Sequence, residues 1–362
     1  MANDEGRRSA ADELRRGDLV EVKGPAEILA TLDETGALEG LPFMPEMAVF
    51  CGRRFQVDRR AERVCDTVAY SGSRKPPRTV LLADLRCTGA GHGGCQAECR
   101  FFWKEAWLTR VAPGSAAPAP IDPRERAALL GRILPHVKAA EATDGGRERW
   151  RCQATELPRA TEYLQLWDPR SYLREYTTGN VPLGRFLRVT ARAAVQEPMR
   201  KLGLVPEVHL PGTRTGKAVD APLHLQPGEL VEVKSKEEIA ATLGPDGRHR
   251  GLWFDREMMP FCGRTFRVRQ RIRRFIDDHD GKMIELKNDC VTLEGGICSG
   301  DRSLRRWFCP REIYSYWREC WLRRVEPATT SVSATSERTE APTCHARAEG
   351  EDPNPIEASD PA

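Results

Sequence analysis

The chain has 362 residues, 40% of them hydrophobic and 30% charged, with a net charge of +3. That balance supports a packed core under a polar surface, and no apolar run approaches the ~20 residues a membrane helix requires, so no membrane partner is expected. The opening MANDEGRRSAADELRR lacks the apolar stretch of a secretory signal. A cytoplasmic location is therefore expected, where thiols stay reduced and the twelve cysteines point to metal or thiol chemistry rather than disulfides.

Residues 1–16 are polar and expected to be disordered. Residues 17–112 read as a cysteine-rich β-module. LVEV (19–22) alternates as a half-buried strand does, PAEILATL (25–32) makes one or two helical turns, and RRFQV (53–57) is a strand with one basic face. RCTGAGHGGCQAEC (86–99) sets three cysteines and a histidine among glycines. FWKEAWLTRV (102–111) supplies a closing strand whose Trp103 and Trp107 are core candidates, with base stacking as the alternative.

PGSAAPAPIDP (113–123) is a Pro/Ala linker that opens a helical connector running to residue 226. Asp122-Pro123 and Asp168-Pro169 each suit an N-cap and first helical position, and Gly179-Asn180 suits a C-cap. VPLGRFLRVTARAAVQEPMRKLGL (181–204) predicts a helix broken at Pro198.

Residues 227–327 repeat the first module. GELVEVKSKEEIAATL (228–243) matches GDLVEVKGPAEILATL (17–32), and the same offset holds through FCGRTFRV (261–268) and VTLEGGIC (291–298). It also carries Glu46 onto Glu257. After three extra residues, YWRECWLRRV (316–325) matches FWKEAWLTRV. DDHDGK (277–282) is a hairpin turn signal. Short strands between polar turns predict an α+β protein with two duplicated small β-barrel (SH3-like) modules joined by the connector. Residues 328–362 carry seven acids and two bases and read as a disordered acidic tail, in which Cys344 and His345 are bystanders.

The duplication acts as a control on the cysteines. Cys51/Cys262, Cys87/Cys298 and Cys95/Cys309 recur, whereas Cys65, His92 and Cys99 belong to the first copy and Cys290 and Cys320 to the second. A small buried side chain explains Cys51 and Cys262, each between Phe and Gly, as well as ligation does. Zinc takes four soft or borderline ligands in a tetrahedron, and glycines let the backbone fold close to the ion. Cys87, His92, Cys95 and Cys99, spaced C-x4-H-x2-C-x3-C, form one candidate set. Cys51, Cys87 and Cys95 with Cys65 or Cys99 form another, mirrored in the second copy by Cys262, Cys290, Cys298 and Cys309. Two zinc sites are expected. An iron–sulfur cluster on Cys65, Cys87, Cys95 and Cys99 is the alternative, and a Cys95 nucleophile served by His92 is a third reading. Cys152, near Thr155 and Glu156, is placed to cap a site where connector and module meet.

Glu105 and Glu319, between the paired tryptophans, are expected to pair with a basic strand or to orient a ligand. RVRQRIRRF (267–275) reads as a solvated face, with nucleic-acid binding as its alternative. The stretches EGLPFMPEM (39–47), CTGAGHGGCQAECRFFWKEAWL (87–108), RCQATELPRAT (151–161), KNDCVTLEGGIC (287–298) and CPREIYSYWRECWLRRV (309–325) resemble a bacterial family of tandem Cys-rich β-module proteins. The likeness spans both modules and much of the connector. It implies a role accessory to a biosynthetic pathway and no particular activity. Together these features predict a metal-binding tandem-module protein that binds or assembles a protein or small-molecule partner.

Overall fold

The computed structural model describes residues 13–69, 72–138, 148–204, 210–217, 222–287, 289–303 and 305–325. Residues 1–12 and the expected tail, with Cys344 and His345, lie outside the described residues.

Each module is built on a five-stranded antiparallel sheet. In the first the spatial order is Trp103–Lys104, Thr79–Leu82, Arg54–Arg60, Leu19–Val22, Leu108–Arg110. In the second it is Trp317–Arg318, Cys290–Leu293, Thr265–Arg271, Leu230–Val233, Leu322–Arg324. The register repeats with the sequence: Leu19 faces Gln56 as Leu230 faces Arg267, and both long strands carry a bulge, at Val57/Arg59 and Val268/Gln270. The LVEV alternation does what its pattern demands. Val20, Val22, Val231 and Val233 are wholly buried while the intervening positions stay half-buried.

The tryptophans are core. Trp103, Trp107, Trp317 and Trp321 have no exposed surface. Phe43 meets Trp107 edge-on at 5.1 Å, and Phe254 meets Trp321 at 5.3 Å. Each inner indole N–H has a threonine acceptor: Trp107 donates to Thr31 Oγ1 at 3.0 Å and Trp321 to Thr242 Oγ1 at 2.9 Å. With both faces packed, none of the four can stack on a base.

The expected SH3-like barrels are corrected: among the described residues neither sheet closes. The two edge strands of the first module are joined by a single 3-10 turn, Glu105–Trp107, and those of the second by Glu319–Trp321. That turn buries its tryptophan against Phe and Thr, so the chain crosses between the edges without ladder hydrogen bonds. Small two- and three-stranded ribbons, such as Ala37–Leu38 with Leu41–Pro42, and helices complete the molecule.

In the connector, helix Pro123–Ile133 starts with the Asp122 carboxylate accepting Arg124 N–H at 2.8 Å, and its Leu129 and Ile133 enter the first module's core. Helix Pro169–Thr177 is capped by Asp168 in the same way, and Gly179 follows with φ +78°. Helix Leu183–Lys201 corrects the expected break, because it runs through Pro198. The donor lost at Pro198 would have served the carbonyl of Ala194, which lies on the helix's exposed face, where solvation lowers the cost of losing the bond. No described helix is long and apolar enough to cross a membrane.

The modules face each other about an approximate two-fold relation, and each lends a hairpin to the other. The first module's hairpin pairs Val64–Cys65 with Ser73–Lys75, and the second pairs Arg274–Ile276 with Met283–Glu285 around the DDHDGK turn. Cys65 N–H donates to Cys309 Sγ at 3.2 Å, and its counterpart Ile276 N–H donates to Cys95 Sγ at 3.4 Å. The loop glutamates are exchanged likewise: Glu98 takes Arg269 at 2.6 Å and Glu312 takes Arg100 at 3.1 Å. Gln96 caps the backbone of Arg273 and Arg274 through Oε1.

Candidate metal centre

The first module's cysteine loop begins where Cys87 N–H donates to Cys99 C=O at 2.8 Å. Gly89 has φ +72°, and a Cβ there would lie 2.0 Å from Cys95 O, so only glycine lets the loop close on itself. His92 and Gly94 N–H both donate to Gly89 C=O, which turns the His92 ring inward until only 2% of the residue is exposed.

Three donor atoms meet there. Cys87 Sγ lies 3.5 Å from His92 Nε2, and His92 Nδ1 lies 2.9 Å from Glu46 Oε1. The ligand atoms of Glu46, Cys87 and His92 all fall within 4.8 Å of one another. Glu46 sits in the 3-10 helix Pro45–Phe50, and its Oε1 also accepts Gly91 N–H at 2.8 Å. Its Oε2 is buried with no hydrogen-bond partner.

Burial raises the Glu46 carboxyl, but the His92 ring and the Gly91 amide outweigh it and hold the group below its ordinary range. Burial drives the Cys87 thiol far up, and the Glu46 charge pushes the same way. Without a cation Cys87 keeps its proton; a divalent ion reverses that balance and makes thiolate the stable form.

Beside these donors lies a small cavity, open in part to solvent. All three parts of the protein line it: Cys87, His92, Cys95 and Cys99 from the first module, Cys152 and Gln153 from the connector, Ile276, Asp278 and Arg311 from the second module. Burial raises Cys95, Cys99 and Cys152 alike, Cys152 to about 12. The Cys95–His92 couple of a thiol enzyme is not assembled, since His92 turns to Cys87 and Glu46 while Cys95 Sγ takes the Ile276 amide.

The second module repeats the frame without the imidazole. Glu257, Cys298 and Ser303 stand where Glu46, Cys87 and His92 do, and Glu257 is saturated by Ser299, Arg302 and Ser303. Cys309 turns to Cys65 of the first module. Cys290 is buried in its strand beside Arg318, and Cys262 is half-buried near Lys236. Cys51 lies in the first core, where burial pushes its thiol up to about 11 against the opposing charge of Arg126. Among the described residues no other three His, Cys, Asp or Glu side chains converge as Glu46, Cys87 and His92 do, so neither four-thiol set is brought together. Glu46, Asp278 and Arg311 were not singled out as site residues in the sequence, although the match of Glu46 with Glu257 marked a shared acid.

Glu105 and Glu319 pair with the basic strands. Glu105 takes Arg60; Glu319 takes Arg271 at 3.1 Å and three amides of residues 223–225. The arginines of RVRQRIRRF are largely engaged within the protein: Arg269 with Glu98, Arg271 with Asp289 and Glu319, Arg274 with Glu285.

No protein family, curated protein or solved structure matches this chain.

Proposed function

We propose that the protein binds one divalent metal ion, zinc by preference, through Glu46, Cys87 and His92, and that the ion stabilises the seam where both modules and the connector meet. The observation that supports this reading most is the 3.5 Å separation of Cys87 Sγ and His92 Nε2. Bonds of about 2.3 Å to sulfur and 2.05 Å to nitrogen, at a tetrahedral angle, require about 3.5 Å between the two donors. Glu46 completes the group: its ligand oxygen lies within 4.8 Å of the other two donors, and its Oε2 is buried and unpartnered. One mixed O, N, S site replaces the two expected zinc sites, because Ser303 supplies no imidazole in the second module. The role that follows is binding or assembly.

An iron–sulfur centre is the second reading, favoured by four thiols, Cys87, Cys95, Cys99 and Cys152, on one cavity. Anaerobic purification separates the two. A colourless protein whose thermal transition falls after chelation under reducing conditions supports zinc. Absorption near 400 nm supports the cluster, and an unchanged transition after verified metal removal contradicts a stabilising ion.

A further inference from the structure

We propose that Cys65 and Cys309, one from each module, form a redox-active dithiol that closes to a disulfide across the module interface. This goes beyond the metal reading and shares none of its three ligands.

The geometry comes first. Cys65 N–H donates to Cys309 Sγ at 3.2 Å, which brings the two residues side by side in the interior. Arg311, two residues beyond Cys309 and only 5% exposed, points back at them: its Nη1 lies 3.8 Å from Cys65 Sγ and 3.4 Å from Cys65 C=O. Thr67 Oγ1 and Asp278 Oδ2 hold the same guanidinium at 3.0 and 3.4 Å. A fixed cation beside two thiols disfavours a bound metal ion and favours a thiolate, the form that attacks an oxidant. The titration tendencies agree. The Cys309 hydrogen bond, then Arg311 and Arg306, hold Cys65 below the ordinary thiol range against burial, while burial and the Cys65 charge push Cys309 up. Cys298 stands near as a neutral thiol, raised by burial. At the matching contact the second module's Ile276 stands against the first module's Cys95, so the chemistry is confined to one of the two interface contacts.

Hydrogen peroxide is the oxidant. Cys65 Sγ attacks one peroxide oxygen, the O–O bond breaks, Cys65 becomes a sulfenic acid, and the departing hydroxide takes a proton from solvent to leave as water. Cys309 then attacks that sulfur, and the sulfenic hydroxyl leaves with the Cys309 proton as a second water. Two electrons pass from the sulfurs to the peroxide.

The test treats the folded, reduced full chain with hydrogen peroxide and maps disulfides in a digest kept free of reductant. The Cys65–Cys309 link is expected to exceed any other Cys65 linkage by about tenfold or more. Cys309→Ser removes the resolving thiol and should leave Cys65 as a sulfenic acid that dimedone labels. Arg311→Met should slow oxidation of Cys65 by about tenfold and raise the pH at which thiolate absorbance appears. A different partner for Cys65, or no oxidation of Cys65 in the folded chain, overturns the proposal. If Cys309→Ser does not fold, the wild-type linkage map decides it alone.

Discussion

Thr67 and Asp278 hold the same position in the two modules, 211 residues apart, and they touch: Thr67 Oγ1 donates to Asp278 Oδ2 at 2.6 Å. A contact between equivalent positions marks where the two-fold relation runs. There the pair also holds Arg311, which stands between the thiol cavity and Cys65.

Asp278→Ala strips the buried Arg311 of its carboxylate and Thr67 of its acceptor. It should lower the unfolding free energy by about 2 kcal/mol, and Asp278→Asn, which keeps an acceptor for Thr67, by about half as much. Urea denaturation reads both. Losses under about 0.5 kcal/mol for Asp278→Ala would show that the modules do not depend on this contact.

The duplicated indole hydrogen bonds provide an internal replicate. Thr31→Val and Thr242→Val each leave a buried tryptophan N–H without its acceptor, at about 1–2 kcal/mol apiece. Equal losses in melting experiments are expected. A loss confined to one variant would mean that the two cores are not energetically equivalent.

Glu175 gives the stability a slope in pH. Burial raises its carboxyl to about 8 despite the Asn180 amide at 2.8 Å, and its Oε1 has no partner. A raised carboxyl binds its proton more tightly in the folded state. Its contribution is complete below the ordinary carboxylate range and is lost as pH rises from there to about 8. Glu175→Gln should match the wild type near pH 4 and become the more stable protein by pH 8, the gap widening by at most about 1.4 kcal/mol per pH unit. A gap independent of pH would contradict a protonated Glu175.

Glu62 works in the opposite direction. Burial alone would raise it, but Arg174 and Lys75 outweigh that and hold it at about 2. Its contribution is present above the ordinary carboxylate range and is lost as pH falls toward 2. Arg174→Met should therefore move the acid unfolding midpoint upward. An unmoved midpoint would show that the connector helix is not tied to the first module through this ion pair.

Much of the frame is legible in the residues themselves. LVEV has the period of a half-buried strand, Asp122-Pro123 and Asp168-Pro169 carry their own capping chemistry, and the constant offset reveals the duplication before any contact is known. Each of these is a local or a copied property. What escapes is non-local. Whether an edge strand meets the far edge depends on how the 3-10 turn packs Trp107, so barrel closure could not be read from strand spacing. Glu46 reads as an ordinary helix-start acid until His92 is folded onto it. Cys65 and Cys309 are partners only because one module's hairpin reaches the other module's loop, whereas spacing arguments looked for ligands within each copy.

The central claim is tested most directly by the metal content of freshly purified protein, measured by elemental analysis beside His92→Ala. The account predicts one zinc per wild-type chain and a loss of at least about tenfold in occupancy for the variant, which still folds with a lower melting temperature. Wild-type chains that hold no metal, or a His92→Ala protein that retains full stoichiometry, would contradict it.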